Sequence, residues 1–90
     1  MFEWDEAKSA ANLVKHGVSF SEACLIFEGP VLSRSDDRYA YGERRIISIG
    51  CVRAIAVIIV VHTDRAGVTR LISARRASRR ERRLYDDYLG

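Results

Sequence analysis

The stretch from Ala54 to Val61 constrains this chain most, because all eight residues are apolar and six of them are β-branched. A run of that length and branching reads as a strand buried on both faces, and so as the centre of a sheet. It is far shorter than the roughly 18 to 20 apolar residues that span a bilayer, and no longer apolar run exists, so no membrane partner is expected. The opening Met1-Phe2-Glu3-Trp4-Asp5 has neither the basic nor the apolar region of a signal peptide. Ninety residues, 48% apolar and 30% charged, suit one small core. The expectation is a single domain over residues 1–90 in the cytosol.

The flanking segments supply the rest of an α+β pattern. Asp5 is placed to cap a helix running to about His16, with Ala7, Ala10, Ala11 and Val14 as an apolar stripe and Gly17 as its stop. Ser19-Phe20-Ser21-Glu22 has capping-box spacing for a second helix, which presents Phe20, Ala23, Cys24 and Phe27 and ends at Gly29-Pro30. Four strands follow, Val31–Ser35 at an edge, Arg44–Gly50, Ala54–His62 and Val68–Arg75. Asp36-Asp37-Arg38, the Gly50 region and Asp64-Arg65-Ala66-Gly67 carry the turn residues of antiparallel hairpins. Ser78-Arg79-Arg80-Glu81 opens a last helix to about Tyr88, with Leu84, Tyr85 and Tyr88 toward the sheet. The predicted order is two helices, a four-stranded antiparallel sheet and one helix.

The charge is distributed unevenly. Residues 1–69 hold eight Lys and Arg against nine Asp and Glu, whereas residues 70–83 hold seven arginines against Glu81 alone. Thirteen of the fifteen basic residues are arginine, whose planar fork binds phosphate bidentately and stacks on bases. Strand alternation sets Arg70, Ile72, Ala74 and Arg76 on one face of the fourth strand and Leu71, Ser73 and Arg75 on the other. Arg79 lies within one helical turn of Arg82 and Arg83, so like charges repel unless an anion bridges them. A solvated basic face is the plain alternative, as is an acidic protein partner.

Other chemistry is thin. Cys24 and Cys51 have no patterned spacing and read as free, buried thiols; His16 and His62 lie far apart, so no metal site or cofactor is expected. His16 ends a helix, where a cation is favoured without any function. His62, beside the turn that follows the central strand, is the better acid or base candidate. Trp4 reads as a packing residue, and Tyr39 and Tyr41 as packing or base-stacking residues.

Two stretches carry a family resemblance. Phe2-Glu3-Trp4-Asp5, Lys8, Asn12 and Lys15-His16-Gly17-Val18-Ser19-Phe20 with Glu22-Ala23 resemble the opening signature of BrnT-type toxins. Ile72 to Arg82 with Tyr85 resembles their closing signature, and Ile49-Gly50 and Val60 to Arg65 also fit. Val31 to Arg44 matches least distinctively. The resemblance implies a RelE-like fold and a ribonuclease of a type II toxin-antitoxin pair that inhibits translation. It also implies a BrnA-type antitoxin, dimeric and DNA-binding, through which operator DNA is contacted and the operon repressed.

RNA cleavage by a ribose 2′-hydroxyl needs a base, positive charge for the phosphorane and an acid for the leaving oxygen. On that chemistry Arg75 and Arg76 are the expected phosphate ligands, with Arg70, Arg79, Lys15 and His16 as outer contacts. His62 is the first choice of acid or base, followed by His16, Glu81 and Tyr85. The competing reading is a non-catalytic basic module that binds nucleic acid or protein.

Overall fold

The structure, a computed structural model, describes every residue except Tyr39 and Tyr41, so the stacking expectation for those two lies outside the described residues. Strand β1 (Phe2–Glu3) leads to helix α1 (Glu6–His16), then to the one-turn helix α2 (Phe20–Ala23) and a 3₁₀ turn at Cys24–Glu28. Strands β2 (Leu32–Asp36), β3 (Arg45–Val52), β4 (Ala56–Arg65) and β5 (Val68–Arg76) precede helix α3 (Arg79–Leu89). They form one five-stranded sheet in the order β1-β5-β4-β3-β2. It is mixed, not four-stranded antiparallel, because Phe2 and Glu3 pair parallel to Thr69 and Arg70 of β5. Two residues carry no periodicity of their own, so only tertiary pairing makes β1 a strand.

The local start and stop signals operate as read. Asp5 accepts from Lys8 N–H at 3.1 Å, Ser19 from Glu22 N–H at 3.2 Å and Ser78 from Glu81 N–H at 3.2 Å. Gly17 closes α1 at φ 74°, a left-handed conformation that favours glycine. The packing face of α1 is different from the expected stripe. Val14 is 89% exposed and Ala7, Ala10 and Ala11 face solvent, while Ser9 and Asn12 are buried. Backbone hydrogen bonding decides this orientation. Asn12 donates to the carbonyls of Val18 (2.7 Å) and Ala74 (2.8 Å) and accepts from Ala74 N–H, and Ser9 accepts from Phe20 N–H. These buried backbone groups would otherwise be left without partners.

The second predicted helix shortens to one α turn before tightening into the 3₁₀ turn, which buries Ile26. The backbone of β3 passes close beneath it. A Cβ at residue 50 would lie 2.6 Å from Ile26 Cβ, so glycine permits this approach. The predicted start of the central strand also moves. Arg53 and Ala54 adopt φ of 53° and 58°, and Ile55 N–H bonds to Val52 C=O, making a two-residue hairpin turn from which β4 emerges at Ala56. The next hairpin turns at Ala66-Gly67, which leaves Asp64 and Arg65 in β4.

Both sheet faces are covered. Val18, Phe20, Ala23 and Ile26 pack on Ile58, Val60, Leu71 and Ala74 on one side; Tyr85 of α3 packs on Ile47, Ile49, Val57 and Ile59 on the other. A bulge sets the register of β5. Val61 pairs with Ser73 and His62 with Leu71, so Ile72 is passed over and the expected simple alternation fails. Leu71 and Ala74 thereby share one core although their positions differ in parity. Cys24 and Cys51 are free, half-buried and attached to different cores. Among the described residues no helix is long and apolar enough to cross a membrane.

Candidate functional site

The α3 side of the sheet carries a cross-strand row, Arg34 on β2, Ile47 on β3, Val61 on β4 and Ser73 on β5, each paired with the next. One row along, Arg75 pairs with Ile59 on the same face. The capping box then brings α3 in so that Glu81 meets Arg75. These residues and Arg38 line a cleft of about 260 Å³, with Ile47, Ile59 and Val61 as its floor.

The cleft is organised by one bidentate pair. Arg75 donates through Nη1 to Glu81 Oε1 at 2.7 Å and through Nη2 to Oε2 at 2.8 Å. Glu81 Oε1 also accepts from Ser78 N–H at 2.9 Å. The Arg75 hydrogen bond is the largest cause holding the Glu81 carboxyl at about 2, with the bonds from Ser78 adding to it and burial opposing it. The Arg75 guanidinium is in turn raised, chiefly by its bond to Glu81, and the nearby Arg38 charge opposes this. Arg38 is anchored by Asp36, whose buried carboxylate accepts from Nε at 2.8 Å and Nη2 at 3.0 Å. Arg34 has no acidic partner among the described residues. Three guanidinium groups thus face one small polar cleft with a single carboxylate in it, the composition of an oxyanion site.

Several expected site residues lie elsewhere. His62 lies apart from the cleft: only 2% exposed, it shares the other face of β4 with Ile58 and Val60. Its Nε2 meets Ser48 Oγ at 2.8 Å, its Nδ1 meets Asp64 Oδ1 at 2.8 Å, and its ring is edge-on to Phe27. Both nitrogens are engaged, and the sheet separates them from the arginine cleft. Ser33 extends the chain by bonding Ser48 Oγ at 2.7 Å, but Ser48 is wholly buried, so this Ser-His-Asp order is a structural tie across three strands. Tyr85 is likewise committed, donating to Pro30 C=O at 2.6 Å inside the second core, where burial raises its pKa.

The arginines also divide. Arg76 is opposite Ile58, hence on the face away from Arg75, and lines a separate depression with Arg82. Arg70 sits near Glu3 (3.5 Å), roughly 16 Å along β5 from Arg75. Lys15 and His16 end α1, on the sheet face opposite α3. Arg79 is exposed in the first turn of α3 and does not line the cleft. Of the expected residues the structure therefore brings together Arg75 and Glu81, with Arg79 close by in sequence. It adds Arg34 and Arg38, which sequence reading missed. Their signal was the period-2 spacing of Leu32 and Arg34 in an edge strand too short to fix its own register.

A model of the family described as "Ribonuclease toxin, BrnT, of type II toxin-antitoxin system" matches residues 4–81, a span that includes every residue lining the cleft. The chain belongs to the BrnT family. Among solved structures, the 1.1 Å crystal structure of the Brucella abortus ribonuclease toxin BrnT is similar, with a TM-score of 0.64 and 25% identity over 88% of this chain and 99% of that one. No curated protein sequence matches. BrnT membership makes this chain a ribonuclease toxin with RNA as its substrate and an antitoxin as its partner.

Proposed function

We propose that the Arg34–Arg38–Arg75–Glu81 cleft is the ribonuclease site and that it cleaves RNA without a metal, by attack of a ribose 2′-hydroxyl on the adjacent phosphorus. The observation that carries this is the bidentate Arg75–Glu81 pair, a carboxylate seated where a phosphate would bind. An incoming phosphate takes the Arg75 fork in exchange for Glu81, with Arg34 and Arg38 completing the cradle. Glu81 keeps its bond from Ser78 N–H but loses the largest cause of its low pKa, so its basicity rises as substrate binds. It then accepts the 2′-hydroxyl proton as the 2′-oxygen–phosphorus bond forms. The phosphorus–5′-oxygen bond breaks, and solvent in the open cleft protonates the leaving oxygen. Arg75 and Arg34 neutralise the phosphorane charge.

Arg79 serves as an outer contact on the helix that carries Glu81, while Arg76, on the other face, and Arg70, Lys15 and His16 reach only a longer RNA. The partner on this reading is a BrnA-type antitoxin, dimeric and DNA-binding, through which the pair meets operator DNA and represses its own operon. Both proteins act in the cytoplasm, where cleavage of RNA inhibits translation.

The test is incubation of purified protein with a long RNA in EDTA, followed by analysis of product ends. Cleavage leaving 2′,3′-cyclic phosphate and 5′-hydroxyl ends, lost in Arg75→Ala, is the expected result. Tight binding of intact RNA would make the chain a binding module instead.

A further inference from the structure

The cleft does not end at Arg34. Arg34 and Ile47 also border a second groove of about 150 Å³, lined further by Leu32, Ser33, Ile49 and Leu84, so the two grooves adjoin as a trough between β2 and α3. One end is cationic and the other aliphatic. Leu84 is 52% exposed although it leans over the sheet, and helical spacing sets Arg80, Leu84 and Tyr88 along the same flank. Tyr88 is also half exposed. On the far side, β2 is the edge strand of the sheet.

We propose that this trough is where the antitoxin docks, through an acidic amphipathic segment. One of its apolar side chains fills the Leu32–Ile49–Leu84 groove, and a neighbouring carboxylate takes Arg34 and competes for Arg75. The inference rests on reading the cationic end as the RNA site, because docking there silences the toxin by occupying the phosphate position.

Two observations favour a protein segment over RNA as the occupant of the aliphatic end, and a third gives that segment a charge to bind. Among the described residues its lining offers no aromatic ring for a base to stack on and no charged or amide side chain except Arg34 to read a base edge. An aliphatic pocket beside an arginine matches the anchor-plus-charge pattern of protein hot spots. Arg34, without an acidic partner among the described residues, gives the charge complementarity for a carboxylate.

The experiment uses the full chain and, as probe, the protein encoded by the reading frame adjoining its gene. Complex affinity and RNA cleavage are measured for the parent and for Leu84→Gln, a half-exposed helix position that tolerates the change. The expected result is at least about 30-fold weaker complex formation, the effect of losing a hot-spot anchor, with cleavage unchanged. A non-cleavable 2′-deoxy oligonucleotide should displace the partner from the parent protein.

Parent-like affinity in Leu84→Gln, absence of any complex, or simultaneous binding of oligonucleotide and partner overturns the proposal. Equal loss of cleavage and partner binding in Leu84→Gln also overturns it, and assigns the groove to RNA. A parent that neither cleaves nor binds RNA, while Leu84→Gln still breaks the complex, would sink the ribonuclease assignment and leave the docking site standing.

Discussion

The two faces of one sheet are built to opposite rules. On the α1–α2 face, polar groups are buried and spent on each other: Asn12 on backbone, Ser48 on His62, His62 on Asp64. On the α3 face, the polar groups are arginines at an open cleft, and the proposed mechanism exchanges the carboxylate partner of Arg75 for a phosphate. Because β4 alternates, His62 and Val61 are neighbours in sequence yet belong to different faces. A titratable residue near a basic strand is therefore no guide to chemistry until its face is known.

The largest expected effect that sharpens this contrast is on the open face. Arg75→Ala should lower RNA cleavage by about 10²–10³-fold, the usual consequence of removing one oxyanion ligand. Stability should change little, since the exposed Arg75–Glu81 pair is worth about 1 kcal/mol or less. Thermal unfolding and single-turnover cleavage of the same sample check both halves.

On the sealed face the effects should reverse. Asn12→Ala strands the Val18 and Ala74 carbonyls and the Ala74 N–H, and should cost about 2–4 kcal/mol in urea unfolding. Gly50→Ala should cost about 1–3 kcal/mol through the clash with Ile26 Cβ, with cleavage by the remaining folded protein intact. A loss of cleavage without loss of stability in either would break the contrast.

The smallest effects concern pH. The Glu81 carboxyl is held at about 2 in the fold against an ordinary 4.5, so its contribution to stability is full above about pH 4.5. That contribution is lost as pH falls through 4.5 to about 2. Glu81→Gln should flatten this part of the stability profile. In kinetics the acid limb of kcat should lie at higher pH than that of kcat/KM, because bound phosphate displaces Arg75 from Glu81.

Features encoded within a few residues were legible in the sequence. Asp5, Ser19 and Ser78 cap the helices from local spacing, and the apolar run up to Val61 sits in the interior strand β4. Features set by distant partners were not. The outward turn of Val14 depends on Asn12 finding Ala74, 62 residues away, and the bulge at Ile72 depends on pairing with β4. Of the site, Arg75 and Glu81 were visible in the arginine-rich segment, while Arg34 and Arg38 joined them only through the register of β2. His62, close to the arginine-rich strand in the fold, lies across the sheet from the cleft because of its place in the alternation of β4.

The most direct test sets the two faces against each other, by measuring RNA cleavage in EDTA for His62→Gln and Arg75→Ala at a temperature where both remain folded. The account predicts that His62→Gln cleaves at nearly the parent rate while Arg75→Ala does not. Loss of cleavage in His62→Gln with activity retained in Arg75→Ala would contradict it.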